Sequence, residues 1–179
     1  MASPANAELD AWVLATAPRA VAYAISLLRD RHEAEDVVQE CYCRLLARAA
    51  IYDLPRDGLK LLLTAVSNAC INRKTRKKHA VSLSPVADEP EVAVADRSVA
   101  APDELASGHE LESAIGVALA QLPMNQRAAL ELKSLGHSQQ EVGEILGISA
   151  TNAGVLIHRA RQTMARLLAK FLGEADVSK

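Results

Sequence analysis

The polar and charged side chains of this sequence are spaced in patterns typical of binding surfaces. They do not form the combinations that catalysis requires. The five histidines are scattered, and no nucleophile has a base at a spacing that would bring the two together. The sequence also contains no glycine-rich loop of the type that cradles phosphate groups. We therefore expect a binding protein with no enzymatic activity, cofactor or metal.

The cysteines Cys41, Cys43 and Cys70 do not form an obvious disulfide or metal pattern. Their number is odd, and Cys41 and Cys43 fall about 200° apart around a predicted helix, so they cannot easily pair or share a metal. A redox role, or zinc binding together with His32, is the alternative that remains open.

A polar face with a basic end is predicted on a helix near the middle of the chain. Residues 60–80 contain six basic side chains and no acidic one. One face of this helix, away from its apolar stripe, holds Leu61, Thr64, Asn68, Asn72 and Arg76. Asparagines beside basic groups suit exposed bases and a phosphate backbone. The alternative is a solvated polar face with a solubilising run of charge.

A helix-turn-helix pattern occupies residues 138–172. Ser138 begins a capping box, Gln139 to Leu146 forms a short helix, and a glycine-containing turn leads to Ser149, which is placed to cap a long helix. The residues expected at the exposed start of that helix are Ala150, Thr151, Asn152 and Ala153, with Val155 expected to anchor it to the core.

The start of the second helix in this motif enters the major groove of DNA, where asparagine can pair with adenine and threonine can offer a hydroxyl or a methyl. His158, Arg159 and Arg161 could then meet phosphates. The alternative is a helical hairpin that does not contact DNA.

The elements that would position these groups are predicted to be helices throughout. The N-terminal part reads as Leu9–Leu28, broken or restarted at Pro18, then 33–49, then a third helix after a break marked by Asp53, Pro55 and Gly58. In the second helix the apolar stripe is Ala34, Val38, Cys41 and Leu45, with Glu33, Asp36 and Glu40 on the opposite face. Before the helix-turn-helix, helices are expected at 107–122 and 125–135.

Composition divides the chain into two parts. The segment 81–107 has three prolines and strong negative charge, which predicts a flexible acidic linker between domains at 1–80 and 108–179. Residues 81–112 hold eight acids and one base, so the net charge of −2 is a cancellation between segments. No stretch approaching the roughly 18 to 20 apolar residues of a membrane span was found, and a cytoplasmic, all-α protein is expected.

Four segments of this sequence resemble, in order and spacing, the extracytoplasmic-function (ECF) group of sigma factors in the sigma-70 family. They are HEAEDVVQE at 32–40, LLLTAVSN at 61–68, LPMNQR at 122–127 and the helix-turn-helix with HRAR at 158–161. Each is weakly specific by itself, but the four lie in register on both sides of the linker, and the resemblance spans nearly the whole chain.

The resemblance implies a transcription initiation factor whose partners are core RNA polymerase, at its clamp and flap regions, promoter DNA and an anti-sigma factor. It implies polymerase binding by Asp36, Gln39, Glu40 and Glu33. It implies binding of the melted minus-ten element by Leu61, Asn68, Asn72, Arg73, Lys74 and Arg76, together with the loop at 51–58. It implies binding of the minus-thirty-five element by Arg127, Ser149, Thr151, Asn152, His158, Arg159 and Arg161.

The sequence departs from the family pattern at three places. Leu61 stands where members often have tryptophan, a helix that commonly precedes the first long one is missing or shortened, and residues 153–156 read AGVL where many members have lysine and arginine. Two other functions stay open: a helix-turn-helix regulator that acts without polymerase, and a sigma-like decoy that only binds a regulator.

Overall fold

The computed structural model describes residues 4–82 and 104–177, with side chains described at 7–76 and 111–169. Within these ranges the chain forms seven α-helices and no strand, which confirms the all-α fold. The helices are α1 (Pro4–Leu28), α2 (Arg31–Leu46), α3 (Leu54–Ser82), α4 (Glu104–Gln121), α5 (Met124–Ser134), α6 (Gln139–Leu146) and α7 (Ala150–Val177).

Helix α1 is continuous through Pro18, so the predicted break at this residue is wrong. Pro18 lies on the exposed side of the helix, and its ring removes one backbone hydrogen bond without disturbing the face that packs on α2 and α3. By length and composition α1 could cross a membrane, contrary to the expectation that no stretch approaches that size. Ala20, Ala24 and Leu27 have no exposed surface, however, so this face of α1 is apolar because it forms the core.

Helix α2 packs one apolar face against α1 and α3. Asp30, which precedes the helix and has a side chain suited to capping, caps its N-terminus, because its carboxylate accepts a hydrogen bond from the backbone N–H of Glu33 at 2.9 Å. The predicted stripe is confirmed, and the buried residues are Ala34, Val37, Val38, Cys41, Tyr42 and Leu45.

Helix α3 begins earlier than the sequence suggested. It starts at the fully buried Leu54, Pro55 falls in its first turn, and the Asp53 side chain accepts a hydrogen bond from the N–H of Arg56 at 3.3 Å. Gly58 is inside the helix and does not break it. A Cβ at this position would lie 2.7 Å from ring atoms of Trp12, so glycine allows α3 to approach the indole closely.

Helices α6 and α7 form the predicted helix-turn-helix, with α5 packed on both and α4 packed on α7. The capping box at α6 is confirmed: Ser138 Oγ accepts from the N–H of Glu141, whose carboxylate accepts from the N–H of Ser138 at 2.7 Å. Gly147 ends α6 with a left-handed φ of 67°, which glycine adopts without strain. The predicted three-residue turn at 147–149 is thereby confirmed.

The two parts of the chain pack against each other. Helices α5 and α6 contact α1 and α3, and buried residues from both parts form one apolar cluster. The helices also extend into both ends of the predicted linker 81–107, since α3 reaches Ser82 and α4 begins at Glu104. The rest of that prediction, at 83–103, lies outside the described residues.

Candidate protein and nucleic-acid interfaces

The outer side of α2 presents the predicted acidic group to solvent. Asp36, Gln39 and Glu40 are exposed, and Glu33 is half-buried in the first turn. Glu40 forms an ion pair with Arg44 one turn later on the same helix. Because the opposite side of α2 is held in the core by large apolar residues, this face has a fixed orientation and can present carboxylates to a basic partner.

The outer side of α3 presents amides and cations together. Asn68 and Asn72 are exposed one turn apart, and Lys74 and Arg76 are exposed beyond them. This row of amides leads directly into positive charge, an arrangement that suits a strand with unpaired bases.

Two other residues of the predicted α3 group, Leu61 and Arg73, are half-buried. Leu61 is half-buried and packs against the apolar core, and α6 lies beside it, joined to α3 by an ion pair between Lys60 and Glu144. The Arg73 guanidinium donates a hydrogen bond to the backbone carbonyl of Glu33 at 3.2 Å. Arg73 therefore ties the polar face of α3 to the start of α2.

The exposed face of α7 carries most of the residues predicted for the helix-turn-helix. Thr151, Asn152, His158, Arg159 and Arg161 are all exposed. Ser149 is also exposed, and its hydroxyl accepts a hydrogen bond from the N–H of Asn152 at 3.2 Å, which makes it the predicted cap of α7.

The packing of α7 differs from the sequence-based expectation at two residues. Ala153 is fully buried, whereas Val155 is 40% exposed, so Ala153 and not Val155 anchors the start of the helix. Among the side chains of α7 that the structure describes, at 150–169, the buried ones are Ala153, Ile157 and Ala160. Two alanines in that row let α7 approach the preceding helices closely, and this rotates Val155 to the outside.

Arg127 does not lie with the other residues of its predicted group. Its side chain is 3% exposed, and its guanidinium donates to carbonyl groups at the ends of two helices. The acceptors are Ser26 and Leu27 of α1, at 3.4 and 3.3 Å, and Ala120 and Leu122 at the end of α4, at 2.7 and 3.3 Å. Burial lowers the pKa of this guanidinium. In this arrangement Arg127 joins helices and cannot reach DNA.

Two residues near the turn, Gln139 and Gly143, have structural roles that were not predicted from the sequence. Gln139 donates from its side-chain amide to the carbonyl of Ala150 at 2.7 Å and so ties the start of α6 to the start of α7. Gly143 is buried where α6 meets the turn, and a Cβ there would lie 2.9 Å from the carbonyl oxygen of Ile148. A glycine in the middle of a short helix was the available signal for such a close approach.

Comparison with known proteins finds two family models that match successive parts of the chain. The family model for Sigma-70 region 2 matches residues 12–80, and the model for Sigma-70, region 4 matches residues 112–164. The first match contains the faces of α2 and α3 described above, and the second contains the helix-turn-helix.

Similar proteins include the ECF RNA polymerase sigma factor SigW of Bacillus subtilis (strain 168), 29% identical over 147 residues that make up 79% of either chain. The RNA polymerase sigma factor CarQ of Myxococcus xanthus is 26% identical over 164 residues, 91% of this chain and 89% of the relative.

Among solved structures, the sigma factor RpoE in complex with the anti-sigma factor NepR from Bartonella quintana has the same fold. Its TM-score is 0.70 at 23% identity, with 88% of this chain and 94% of that chain covered. Since both family modules are present in order, and relatives that align along most of their length carry the ECF name, this chain belongs to the extracytoplasmic-function group of the sigma-70 family.

Proposed function

We propose that this chain binds core RNA polymerase and directs it to recognise, melt and transcribe from specific promoters. The observation that carries this function is the presence of both sigma modules in one chain, each with an exposed polar face on a helix fixed by its apolar side. The domains we assign are 1–80 for polymerase and the minus-ten element and 108–179 for the minus-thirty-five element. The acidic segment between them would follow a positively charged channel of the polymerase.

For polymerase binding we assign the outer face of α2, with Asp36 and Gln39 at its centre and Glu40 and Glu33 beside them. Asp36 is exposed, and its helix is held by buried residues on the other side, so reversing its charge changes the surface without disturbing the core. Charge complementarity across such a surface governs the choice of partner.

This assignment predicts that Asp36→Arg abolishes capture of core RNA polymerase, because a cation would meet the basic groups that the carboxylate is expected to meet. The measurement is a pull-down of purified core enzyme. Asp10→Arg is the matched control, since Asp10 is also an exposed aspartate on a helix but lies on α1. Normal capture of polymerase by the Asp36 variant would remove α2 as the docking surface.

For the melted minus-ten element we assign Asn68 and Asn72 as base contacts and Arg73, Lys74 and Arg76 as backbone contacts, with Leu61 at the edge of this face. Support comes from the exposure of both amides on one side of α3 and from the cations that follow them. Replacing Asn68 and Asn72 with alanine should reduce the permanganate reactivity of thymines near the start site while leaving binding to duplex DNA in place.

For the minus-thirty-five element we assign Thr151 and Asn152 as base contacts, with Ser149, His158, Arg159 and Arg161 near the backbone. Asn152→Ala should cost about 1 to 3 kcal/mol at one promoter position, the usual size of a good base contact. Binding of the holoenzyme to a set of single-base promoter variants measures this. An equal loss on every variant would indicate a phosphate or structural role instead.

The same assignment predicts one further partner and a cellular location. The solved relative was crystallised with an anti-sigma factor, and we expect this chain to have an inhibitor of that kind. We also place the protein in the cytoplasm, where polymerase and promoters are.

The decisive test is transcription in vitro with purified core polymerase and genomic templates, followed by mapping of start sites. Specific new start sites are expected only when the protein is added. Binding to DNA without new transcripts would favour the helix-turn-helix regulator, and binding to neither DNA nor polymerase would favour the decoy.

A further inference from the structure

An apolar side chain stands on the exposed face of α7, among polar residues. Val155 is 40% exposed, and Thr151 and Arg159 lie one turn before and after it on the same face. It falls about 200° around the helix from the buried Ala153, so it points directly away from the core of the module.

The residues beside Val155 leave its side chain partly open to solvent. The next residue toward the N-terminus is Gly154, which has no side chain, and the space where its Cβ would lie is taken by the Gln139 amide, 2.5 Å from that position. That amide is itself engaged with the carbonyl of Ala150. The side chain of Val155 therefore has no side-chain neighbour at position 154, and 40% of the residue is open to solvent between Thr151 and Arg159.

The chemistry of the major groove offers one partner for such a group. Bases present hydrogen-bond donors and acceptors there, and the only apolar group on an unmodified base edge is the C5-methyl of thymine. Val155 cannot form a hydrogen bond through its side chain, so it can discriminate between bases only through this methyl group or through steric exclusion.

We propose that Val155 is a specificity-determining residue that packs against the C5-methyl of one thymine in the minus-thirty-five element. This inference rests on the proposed function, because it requires α7 to enter the major groove. It assigns a base preference to a part of the helix where the basic residues common in the family are absent.

The test uses the holoenzyme and a promoter chosen by selection from a library randomised over the minus-thirty-five region. Each thymine of the selected element, on both strands, is replaced in turn with deoxyuridine, which removes only the methyl group. One replacement should weaken binding by on the order of three- to fivefold, the value of about one buried methyl or methylene group. In the Val155→Ala holoenzyme the same replacement should have less than a twofold effect.

Val117→Ala is the matched control, since Val117 is also an exposed valine, at 55%, but belongs to α4 and not to the helix-turn-helix. It should retain the wild-type response to deoxyuridine. The inference is overturned if the selected element contains no thymine, if no deoxyuridine replacement matters, or if Val155→Ala weakens binding equally to thymine and deoxyuridine DNA. A holoenzyme that selects no sequence at all would instead contradict the proposed function.

Discussion

At the scale of single residues, Gly154 illustrates how a residue that is unfavourable in isolation can be explained by a neighbour. Glycine inside a helix costs roughly 1 kcal/mol relative to alanine. Here its missing Cβ makes room for the Gln139 side chain, which reaches over to the Ala150 carbonyl. A hydrogen bond of this kind contributes about 0.5 to 1.5 kcal/mol, which is comparable to the helix cost.

We therefore expect Gly154→Ala to change the free energy of unfolding by less than about 0.5 kcal/mol, because the gain in helix propensity is offset by displacement of Gln139. In a Gln139→Ala background the same substitution should stabilise the protein by about 1 kcal/mol. Urea denaturation of the four proteins of this cycle measures the difference. Identical effects of Gly154→Ala in both backgrounds would show that the two residues are not coupled.

Much of the site could be predicted from residue types, and the errors have a common cause. Exposed polar residues such as Asp36, Asn68 and Asn152 are correctly placed, because charge and amide groups avoid the core. Alanine and valine can each be buried or exposed, and hydrophobicity alone predicts that the larger residue takes the core position. For Ala153 and Val155 this prediction was wrong. The close helix packing that selects alanine here is a property of the neighbours and is not visible in the residue itself.

At the scale of elements, the boundaries that carry a side-chain cap were predicted well. Asp30, Ser138 and Ser149 each accept a backbone hydrogen bond at a helix start. Breaks inferred from Pro18 and Gly58 failed, because tertiary packing maintains helix geometry at both positions. Proline and glycine only lower the local preference for helix, which packing can override. A capping side chain, in contrast, accepts a hydrogen bond from a backbone N–H group that the helix itself leaves unpaired.

The turn of the helix-turn-helix depends on Gly143. Alanine would gain about 1 kcal/mol of helix propensity, but its Cβ would lie 2.9 Å from the Ile148 carbonyl oxygen and 3.1 Å from the Ala150 nitrogen, both backbone atoms that cannot move aside freely. Overpacking of this kind costs about 1 to 3 kcal/mol, so Gly143→Ala should destabilise the protein and weaken duplex binding.

Gly116→Ala provides the control for that prediction. Gly116 is also inside a helix, but no atom lies within 4 Å of its absent Cβ, so alanine there should stabilise the protein by up to about 1 kcal/mol. Thermal unfolding of both variants separates the two effects. Equal stabilisation by both substitutions would mean that α6 can move away from the turn without cost.

At the scale of the whole molecule, the two modules are held in a closed arrangement. Arg127 of α5 joins the end of α1 to the end of α4, Arg29 donates to the Gly116 carbonyl at 2.6 Å, and Lys60 of α3 pairs with Glu144 of α6. The promoter elements assigned to these modules are separated by about 25 base pairs, or roughly 85 Å of duplex. Modules in side-chain contact cannot span that distance, so the proposed function requires the closed arrangement to open on the promoter.

Arg127→Met should weaken the closed arrangement, because it keeps much of the side-chain volume and removes every hydrogen bond to the helix ends. We expect the free energy of unfolding to fall by about 2 kcal/mol, the value of hydrogen bonds from a buried charged group. We also expect the mean distance between α2 and α7 to increase. Arg19→Met, at an exposed arginine of α1, should change neither quantity.

Fluorescence energy transfer can follow that distance with dyes on cysteines introduced at Arg48, in the turn just after α2, and at Gln162 of α7, both exposed, after Cys43→Ser. Cys41 and Cys70 can remain, because burial raises their pKa to about 11 and about 12 and leaves little thiolate to react near neutral pH. Energy transfer should be high in the free wild-type protein and lower in the Arg127 variant. If the variant is destabilised but its energy transfer is unchanged, Arg127 serves only to hold α4 to α5, and the other contacts suffice to keep the modules together.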